Sequence, residues 1–126
     1  MDGVELLRRY YAAYNRGDEA GLRACLAEDV AIVPGEGMAQ EVGIAAYLAA
    51  YRRSRALFED VMEPQAMTGD TREVRVTLVN RLTARESVAD FFGMALGKGE
   101  TLSLLLDARY RLAGGRIVAI RIAARG

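Results

Sequence analysis

The stretch Thr101–Ala124, TLSLLLDARYRLAGGRIVAIRIAA, decides how the rest of the chain is organised. Two runs rich in Leu, Ile, Val and Tyr flank Gly114 and Gly115, a pattern that predicts a β-hairpin. The two glycines can adopt the positive φ angles that a tight hairpin turn needs. Each arm has about ten residues, whereas an average strand has about five or six. We therefore expect the hairpin to form the middle of a sheet whose apolar face is covered by other elements.

One acidic residue, Asp107, interrupts the first arm directly after three leucines. Side chains alternate between the two faces of a strand. If the leucine before it and the alanine after it face the core, Asp107 points outward and forms a surface ion pair with Arg109. An inward Asp107 requires a β-bulge or an arm that is buried on both faces. Both orientations are consistent with the sequence.

The composition bounds the domain organisation and the chemistry. The chain has 126 residues, which predicts a single domain spanning residues 1–126. Its 17 Lys and Arg balance 17 Asp and Glu, so no net charge attracts nucleic acid or an anionic membrane surface. There is no histidine, which excludes Ser-His-Asp and Cys-His nucleophile systems and histidine-based metal sites. Acid–base catalysis must therefore use Asp, Glu, Tyr, Lys or Cys.

The sequence shows no sign of export or membrane insertion. It has no basic start followed by an apolar run, and no stretch near the roughly 18 apolar residues of a membrane span. Cys25 is the one cysteine, so no internal disulfide can form and we expect a small core residue. We expect a cytoplasmic protein with no membrane partner and no nucleic-acid partner.

Apolar periodicity predicts helices in the first half of the chain and strands in the second. Spacings of three and four residues predict helices, and strict alternation predicts strands. The predicted helices are Val4–Asn15, Glu19–Leu26, Glu41–Leu57 and a short Asp90–Leu96; the predicted strands are Val30–Val33, an edge strand around Glu63 and Pro64, Glu73–Arg85 and the two hairpin arms. Helices followed by strands, without an alternating βαβ order, predict an α+β fold with a mostly antiparallel sheet.

Two groups of side chains have alternative interpretations. Asn80 lies on the apolar face of strand Glu73–Arg85, where its amide needs a partner from a ligand or from the protein. The apolar side chains of the Asp90–Leu96 segment could cover a pocket mouth as a lid, or pack into the core or a dimer interface. Those side chains are Phe91, Phe92, Met94 and Leu96.

Three segments together resemble the NTF2-like superfamily, which includes SnoaL-like polyketide cyclases and ketosteroid isomerases. They are RYYAAYNRGDEAGLRACLAEDVAIV in Arg9–Val33, GIAAYLAAY in Gly43–Tyr51 and YRLAGGRIVAIRI in Tyr110–Ile122. The resemblance implies an α+β cone in which a curved, mostly antiparallel sheet wraps around the N-terminal helices and encloses a central pocket. It also implies a homodimer, which we expect to form through the outer sheet face at Thr77, Val79 and Thr83.

Alignment with the ketosteroid isomerases implies roles for individual positions. Tyr10 matches the tyrosine that donates to the oxyanion, and Asp107 matches the protonated aspartate of the same oxyanion hole. The general base of that family falls at Val33 or Pro34, and neither side chain can accept a proton. The resemblance therefore implies that the chain keeps two groups that stabilise an enolate and lacks the family's base.

The leading hypothesis is a SnoaL-like enzyme that acts on a small, largely apolar carbonyl or polyketide-like compound without a cofactor or metal. Tyr10 and Asp107 would stabilise the negative charge that develops on oxygen. The pocket around the ligand would be lined by Tyr14, Tyr47, Tyr51 and Asn80. The alternative is a non-catalytic module of the same fold that binds a small molecule or forms dimers.

Overall fold

The computed structural model describes residues 2–33, 40–91 and 93–125. In these ranges the chain forms three helices, a six-stranded sheet and a separate two-stranded sheet, which confirms the predicted α+β class. The helices are α1 (Gly3–Arg16), α2 (Glu19–Cys25) and α3 (Ile44–Leu57). The strands are β1 (Leu26–Val33), β2 (Glu41–Val42), β3 (Phe58–Gly69), β4 (Glu73–Ala84), β5 (Val88–Phe91), β6 (Met94–Leu96), β7 (Thr101–Ala113) and β8 (Arg116–Ala124).

The β7–β8 hairpin lies in the middle of the larger sheet, whose strand order is β2-β1-β8-β7-β4-β3. Gly114 and Gly115 form its turn with φ angles of 59° and 73°, as the glycine pair predicted. β3 forms one edge, as predicted for the segment around Pro64, and its register shifts just after that proline. Within the described residues, the paired strands of this sheet are antiparallel except for β1 and β8, which are parallel. The sheet is therefore mostly antiparallel, as expected.

Helix α1 is limited by two capping residues. The Asp2 carboxylate accepts a hydrogen bond of 2.8 Å from the backbone N–H of Glu5 and caps the first turn. Gly17 ends the helix in the left-handed conformation, with a φ of 73°. The large side chains that α1 buries between these caps are Leu6, Leu7, Tyr10, Tyr11 and Tyr14.

The main core lies between the helices and the inner face of the larger sheet. α1 packs on β3 and β4, and α3 packs on β1 and β3. Alternation along β4 buries the predicted face, which consists of Val74, Val76, Leu78, Asn80 and Leu82. Cys25 is also buried, as expected of a core residue. No helix in the described ranges is long and apolar enough to cross a membrane.

Helix α3 begins later than predicted, because the residues before it pair with a strand. The helix begins at Ile44 rather than at Glu41 as predicted. Glu41 instead belongs to β2, where it pairs with Ile32 of β1. Gly43 separates β2 from α3 with a φ of 104°, a conformation that glycine adopts far more readily than other residues.

The described residues on either side of position 92 form two paired strands, β5 and β6, so the short helix predicted at Asp90–Leu96 is wrong. β5 pairs antiparallel with β6. Gly93 turns the chain with a φ of 81°, and the Asp90 carboxylate accepts a hydrogen bond of 2.8 Å from its N–H. Aspartate favours turns as well as helix N-termini, because its side chain bonds to nearby backbone N–H groups in both settings.

The apolar side chains of this small hairpin divide between core and surface. Leu96 is buried in a second core cluster together with Phe58. Phe91 contacts the ring of Phe58 at a centroid distance of 5.0 Å. Met94 is 48 % exposed, and Phe92 lies outside the described residues. Core packing, rather than a lid, therefore accounts for Phe91 and Leu96.

Candidate functional site

Four tyrosines from two helices converge on the inner side of the sheet. Tyr10 and Tyr14 lie about one turn apart on α1, and so share a face of that helix. Tyr47 and Tyr51 have the same spacing on α3. None of the four is more than 7 % exposed. Their rings form a closed circuit, with centroids 6.2, 4.8, 6.4 and 6.4 Å apart in the order 10, 14, 51, 47 and back to 10.

These tyrosines line a cavity of about 180 Å³, which we call the tyrosine cavity. Two further polar residues, Glu41 and Ser54, contribute to its wall. The other lining residues in the described part of the chain are apolar, namely Ile32, Ala50, Met62, Ile120 and Ile122. The structure thus brings Tyr10 together with the three tyrosines that the sequence predicted for the pocket.

The hydroxyls of Tyr10 and Tyr47 form a hydrogen bond of 2.5 Å between the two helices. Either oxygen can be the donor, so this hydroxyl pair uses one of its two protons internally and keeps the other. The hydroxyl of Tyr51 donates at 2.6 Å to the backbone carbonyl of Tyr14. The hydrogen-bond partner of Tyr10 is therefore another tyrosine rather than an acid or a base.

A buried carboxylate, Asp60, supports the cavity from β3. It is 3 % exposed and accepts three hydrogen bonds of 2.7 Å each, from Tyr14, Ser54 and Asn80. Hydrogen bonds to a charged acceptor offset the cost of removing a carboxylate from water. Its place two residues after the buried Phe58 was a signal for the inner face. This position was not predicted for Asp60, because the edge strand was predicted only around Glu63 and Pro64, whereas β3 begins at Phe58.

Asn80 is buried, as its place on the apolar face of β4 predicted. Its amide donates at 2.7 Å to Asp60 and at 3.1 Å to the backbone carbonyl of Val61. Both partners belong to β3, so a structural hydrogen bond accounts for this residue. Asn80 does not line the tyrosine cavity that the described residues enclose, and the prediction that it does is wrong.

Asp107 lies on the outer face of the sheet, so its expected place in an oxyanion hole is wrong. β7 pairs with β4 without a bulge, and strict alternation buries Leu106 and Ala108 while it exposes Asp107. The carboxylate pairs with Arg125 at 3.7 Å and accepts a hydrogen bond of 3.3 Å from Thr77. The sheet itself separates this carboxylate from the tyrosine cavity.

Of the described residues that line the tyrosine cavity, one is charged, and this residue is Glu41. It is half-buried, and it pairs with Ile32 on the neighbouring strand, so the two side chains face the same side. In the described part of the chain, no Arg or Lys forms an ion pair with it. The sequence did not indicate Glu41 as a site residue. Glu41 was predicted to begin a helix, and its pairing with Ile32 is not visible in any local pattern.

Burial keeps the cavity tyrosines in their neutral form. Removal from water raises the pKa of Tyr10, Tyr14 and Tyr47 well above the usual value of 10.0. The same cause raises the pKa of Tyr51. The negative charge of Asp60 raises the pKa of Tyr14 further, because it repels a phenolate. At neutral pH these hydroxyls therefore form hydrogen bonds and do not act as bases.

Two larger surface depressions lie elsewhere on the molecule. One of about 550 Å³ covers the outer sheet face near Asp107 and Arg121, and one of about 760 Å³ lies beside the turn at Gly114. No tyrosine lines either depression within the described residues. In the same ranges, no group of three or more Cys, Asp or Glu side chains is placed to hold a metal ion. The tyrosine cavity, which combines an apolar wall with a few polar groups, is the candidate site.

A family model of the SnoaL-like domain matches residues 7–120. The chain belongs to the SnoaL-like domain family. The resemblance to the NTF2-like superfamily is thereby confirmed. No curated protein matches this SnoaL-like domain in sequence.

Solved structures share the fold of this SnoaL-like domain and confirm the expected cone. A proposed polyketide cyclase from Xanthomonas campestris pv. campestris is 26 % identical, with a TM-score of 0.80 over 94 % of this chain and 87 % of the other. IdmH, a proposed polyketide cyclase from Streptomyces antibioticus, is 22 % identical, with a TM-score of 0.79 over 96 % and 90 %. A hypothetical protein with a ketosteroid isomerase-like fold from Catenulispora acidiphila, in complex with trimethylamine, is 13 % identical, with a TM-score of 0.76 over 94 % and 84 %.

This SnoaL-like domain has no acid at the described position that aligns with the ketosteroid isomerase base. Val33 ends β1 and is half-buried, and Pro34 lies outside the described residues. The carboxylate that lines the cavity comes instead from Glu41 on the neighbouring β2. The cavity of the SnoaL-like domain thus has a hydroxyl pair and an acidic residue in an otherwise largely apolar lining.

Proposed function

We propose that this SnoaL-like domain is an enzyme that acts on a small, largely apolar carbonyl compound by proton transfer, without a cofactor or metal. The observation that carries the proposal is the lining of the tyrosine cavity, where a hydroxyl pair and a carboxylate share one small space. The pair is Tyr10 and Tyr47, and the carboxylate is Glu41. All three residues line the same cavity of about 180 Å³.

The hydroxyl pair is suited to stabilise negative charge on a carbonyl oxygen. One proton closes the hydrogen bond between Tyr10 and Tyr47, which leaves the other for the ligand. The donor is buried and held by its neighbour, so it needs little reorganisation as charge develops on the oxygen. Tyr47 thereby takes the place beside Tyr10 that the family resemblance implied for Asp107.

Glu41 is suited to accept the proton. In the proposed step its carboxylate takes a proton from the carbon next to the carbonyl, and the C–H electron pair forms the carbon–carbon double bond of an enolate. The carbonyl π electrons move onto the oxygen, which accepts the hydrogen bond from the hydroxyl pair. Reprotonation at another carbon completes an isomerisation, and attack on a second carbonyl completes an aldol-type cyclisation. The relatives described as proposed polyketide cyclases support the second outcome.

The size of the cavity limits the substrate. A cavity of roughly 150 Å³ holds a benzene molecule, and pockets for drug-sized ligands measure roughly 300–1,000 Å³. The tyrosine cavity measures about 180 Å³ between the described residues. We therefore expect a substrate with one ring or a short chain rather than several fused rings.

A second candidate function is binding without catalysis. The hydroxyl of Tyr10 bonds to Tyr47 rather than to an acid or a base, and this favours a pocket that only holds its ligand. The two candidates share the cavity and differ in whether Glu41 moves a proton.

Deuterium exchange distinguishes the two candidates. 4,4-Dimethylcyclohexanone is incubated with the chain in D₂O, and deuterium at the carbons next to the carbonyl is measured by mass spectrometry. We expect exchange above the buffer rate, and a fall of about 10²–10⁴-fold in Glu41→Gln, the range typical of general acid–base catalysis. Asp107→Asn, the same chemical change on the outer face, should leave the rate unchanged. Binding without exchange would favour the second candidate and contradict the first.

A further inference from the structure

The hydroxyl groups that line the tyrosine cavity offer more hydrogen-bond acceptors than donors. The hydroxyls of Tyr14 and Ser54 both donate to Asp60 at 2.7 Å. The hydroxyl of Tyr51 donates at 2.6 Å to the backbone carbonyl of Tyr14. These three hydroxyl oxygens keep lone pairs and have no proton left for a ligand. Among the lining residues that the structure describes, the one unused hydroxyl proton belongs to the hydroxyl pair.

The charges around the cavity are mainly negative. Glu41 lies in the wall, and Asp60 lies one hydrogen bond away from Tyr14. The guanidinium of Arg55 opposes them: it lies 5.5 Å from the ring centroid of Tyr51 and donates at 3.3 Å to the backbone carbonyl of Tyr14. Glu41 is part of the cavity wall, whereas Arg55 is not and is positioned over the ring of Tyr51, which is.

The tyrosine rings add an electron-rich surface to these acceptors. Aromatic rings attract cations through their π electrons, most strongly where water is excluded. Each ring in the circuit lies within 6.4 Å of the next, and all four tyrosines line the cavity. The alkyl groups of an organic cation also match the apolar wall that Ile32 and Ile120 provide.

We propose that the tyrosine cavity binds a small organic cation, a protonated amine or a quaternary ammonium group, with Glu41 as its counter-charge. This inference deepens the proposed function and rests on it, because the cation is taken to be the substrate of the same cavity. The substrate class narrows to compounds that carry a positive nitrogen as well as a carbonyl. The carbonyl oxygen accepts the free proton of the hydroxyl pair, and the nitrogen lies toward the carboxylate.

A pair of isosteric ketones tests the charge preference. 1,1-Dimethyl-4-oxopiperidinium has the shape of 4,4-dimethylcyclohexanone, with one ring carbon replaced by a positively charged nitrogen. Titration calorimetry on the full chain should give a dissociation constant about tenfold lower, or better, for the cation. Equal affinities, tighter binding of the neutral ketone, or no binding of the cation would each overturn the inference.

Two pairs of variants test which groups cause the preference. Glu41→Gln should remove most of it, whereas Glu63→Gln, the same change at a residue of β3 that pairs with Arg81, should leave it intact. Tyr47→Phe keeps the ring and should keep most of the preference, whereas Tyr47→Leu should lose it. Circular dichroism checks the fold of each variant. A preference that survives both Glu41→Gln and Tyr47→Leu would place the cation elsewhere and overturn the inference.

Deuterium exchange of the same two ketones separates this inference from the proposed function. Exchange above buffer with equal affinities for the two ketones would overturn the cation inference and leave the proposed enzyme standing. Tighter binding of the cation, with no exchange of either ketone above buffer, would overturn the enzyme and leave a cation-binding pocket. We expect preferred binding of the cationic ketone and a larger enhancement of its exchange over the buffer rate, with both lost in Glu41→Gln.

Discussion

The hydroxyl of Tyr14 donates a hydrogen bond of 2.7 Å to Oδ2 of Asp60 and joins α1 to β3 inside the core. Ser54 of α3 donates to the same oxygen at 2.7 Å. Asn80 of β4 donates to the other oxygen, also at 2.7 Å. One carboxylate therefore connects two helices to two strands, and it does so directly beside the candidate site. In such a buried network each hydrogen bond helps to orient the others.

Replacement of Asp60 by leucine is expected to lower the free energy of unfolding by about 2–4 kcal/mol, because buried donors lose their acceptor. Asp60→Asn keeps one acceptor oxygen and should cost less. Urea unfolding followed by circular dichroism measures both changes. Asp107→Leu, which removes an exposed carboxylate, is the control and should have little effect. An equal loss in the two leucine variants would show that the Asp60 network does not stabilise the fold.

The stability of the chain is expected to fall at alkaline pH. All six tyrosines are buried, and burial raises the pKa of each above its usual value of 10.0. In the unfolded chain they titrate near their usual pKa of about 10. The contribution of these groups to stability is therefore fully present below about pH 10 and is lost as the pH rises further, because there only the unfolded chain releases its protons.

Urea unfolding at neutral pH and above about pH 10 measures this loss. The ultraviolet absorbance of tyrosinate, followed in parallel, should appear only as the chain unfolds. Tyrosinate absorbance in a chain that keeps its native circular dichroism would contradict the prediction, because it would show that the buried hydroxyls ionise in place.

Steroid double-bond isomerase activity is expected to be negligible. The aligned base position offers Val33, which cannot accept a proton, and a four-ring steroid exceeds a cavity of about 180 Å³. A missing general base typically costs about 10²–10⁴ in rate. Incubation with a 3-keto-Δ5-steroid should give no more conjugated product, measured by absorbance, than buffer alone. Efficient turnover would mean that another residue acts as base and that the alignment at Val33 is wrong.

Long elements could be predicted from the sequence, and short ones could not. α1 and α3 have 14 residues each, and β7 has 13, so their periodicity repeats often enough to be recognised. β2 has two residues and β6 has three, which is too few for any period. Glu41 and Met94 are strand residues only because of pairing with partners in other segments, which no local pattern shows.

Some residues of the candidate site could likewise be predicted from the sequence, and others could not. Tyr10 and Tyr14 could be recognised because helical spacing places both on one face of α1. Alternation alone would have placed Asp107 outside, whereas the family resemblance implied an inward position. The unbroken register between β7 and β4 decides for alternation. Asp60 and Glu41 owe their positions to strand registers that form only in the folded sheet, so neither was predicted as a site residue.

The outer face of the sheet has an apolar centre with a charged surround. Val79 of β4 lies opposite Leu105 of β7, and Leu105 is 44 % exposed. On the same face Thr77 precedes Val79 and Arg81 follows it, with Thr83 beyond. Glu63 of β3 lies opposite Val79 and forms an ion pair with Arg81, so charged groups border the apolar centre on this side. An apolar centre with a polar rim is typical of protein interfaces. We therefore expect a homodimer through this face.

Leu105→Arg is expected to convert this dimer into a monomer. At a two-fold interface each patch meets its own copy, so the substitution places two positive charges close together in an apolar contact. Sedimentation velocity at micromolar concentration measures the change. Leu57→Arg is the control, because Leu57 is 49 % exposed at the end of α3 and lies off the outer sheet face. If the unchanged chain is a monomer, the predicted dimer is wrong. If both variants dissociate, the added charge, rather than the contact at Leu105, causes the dissociation.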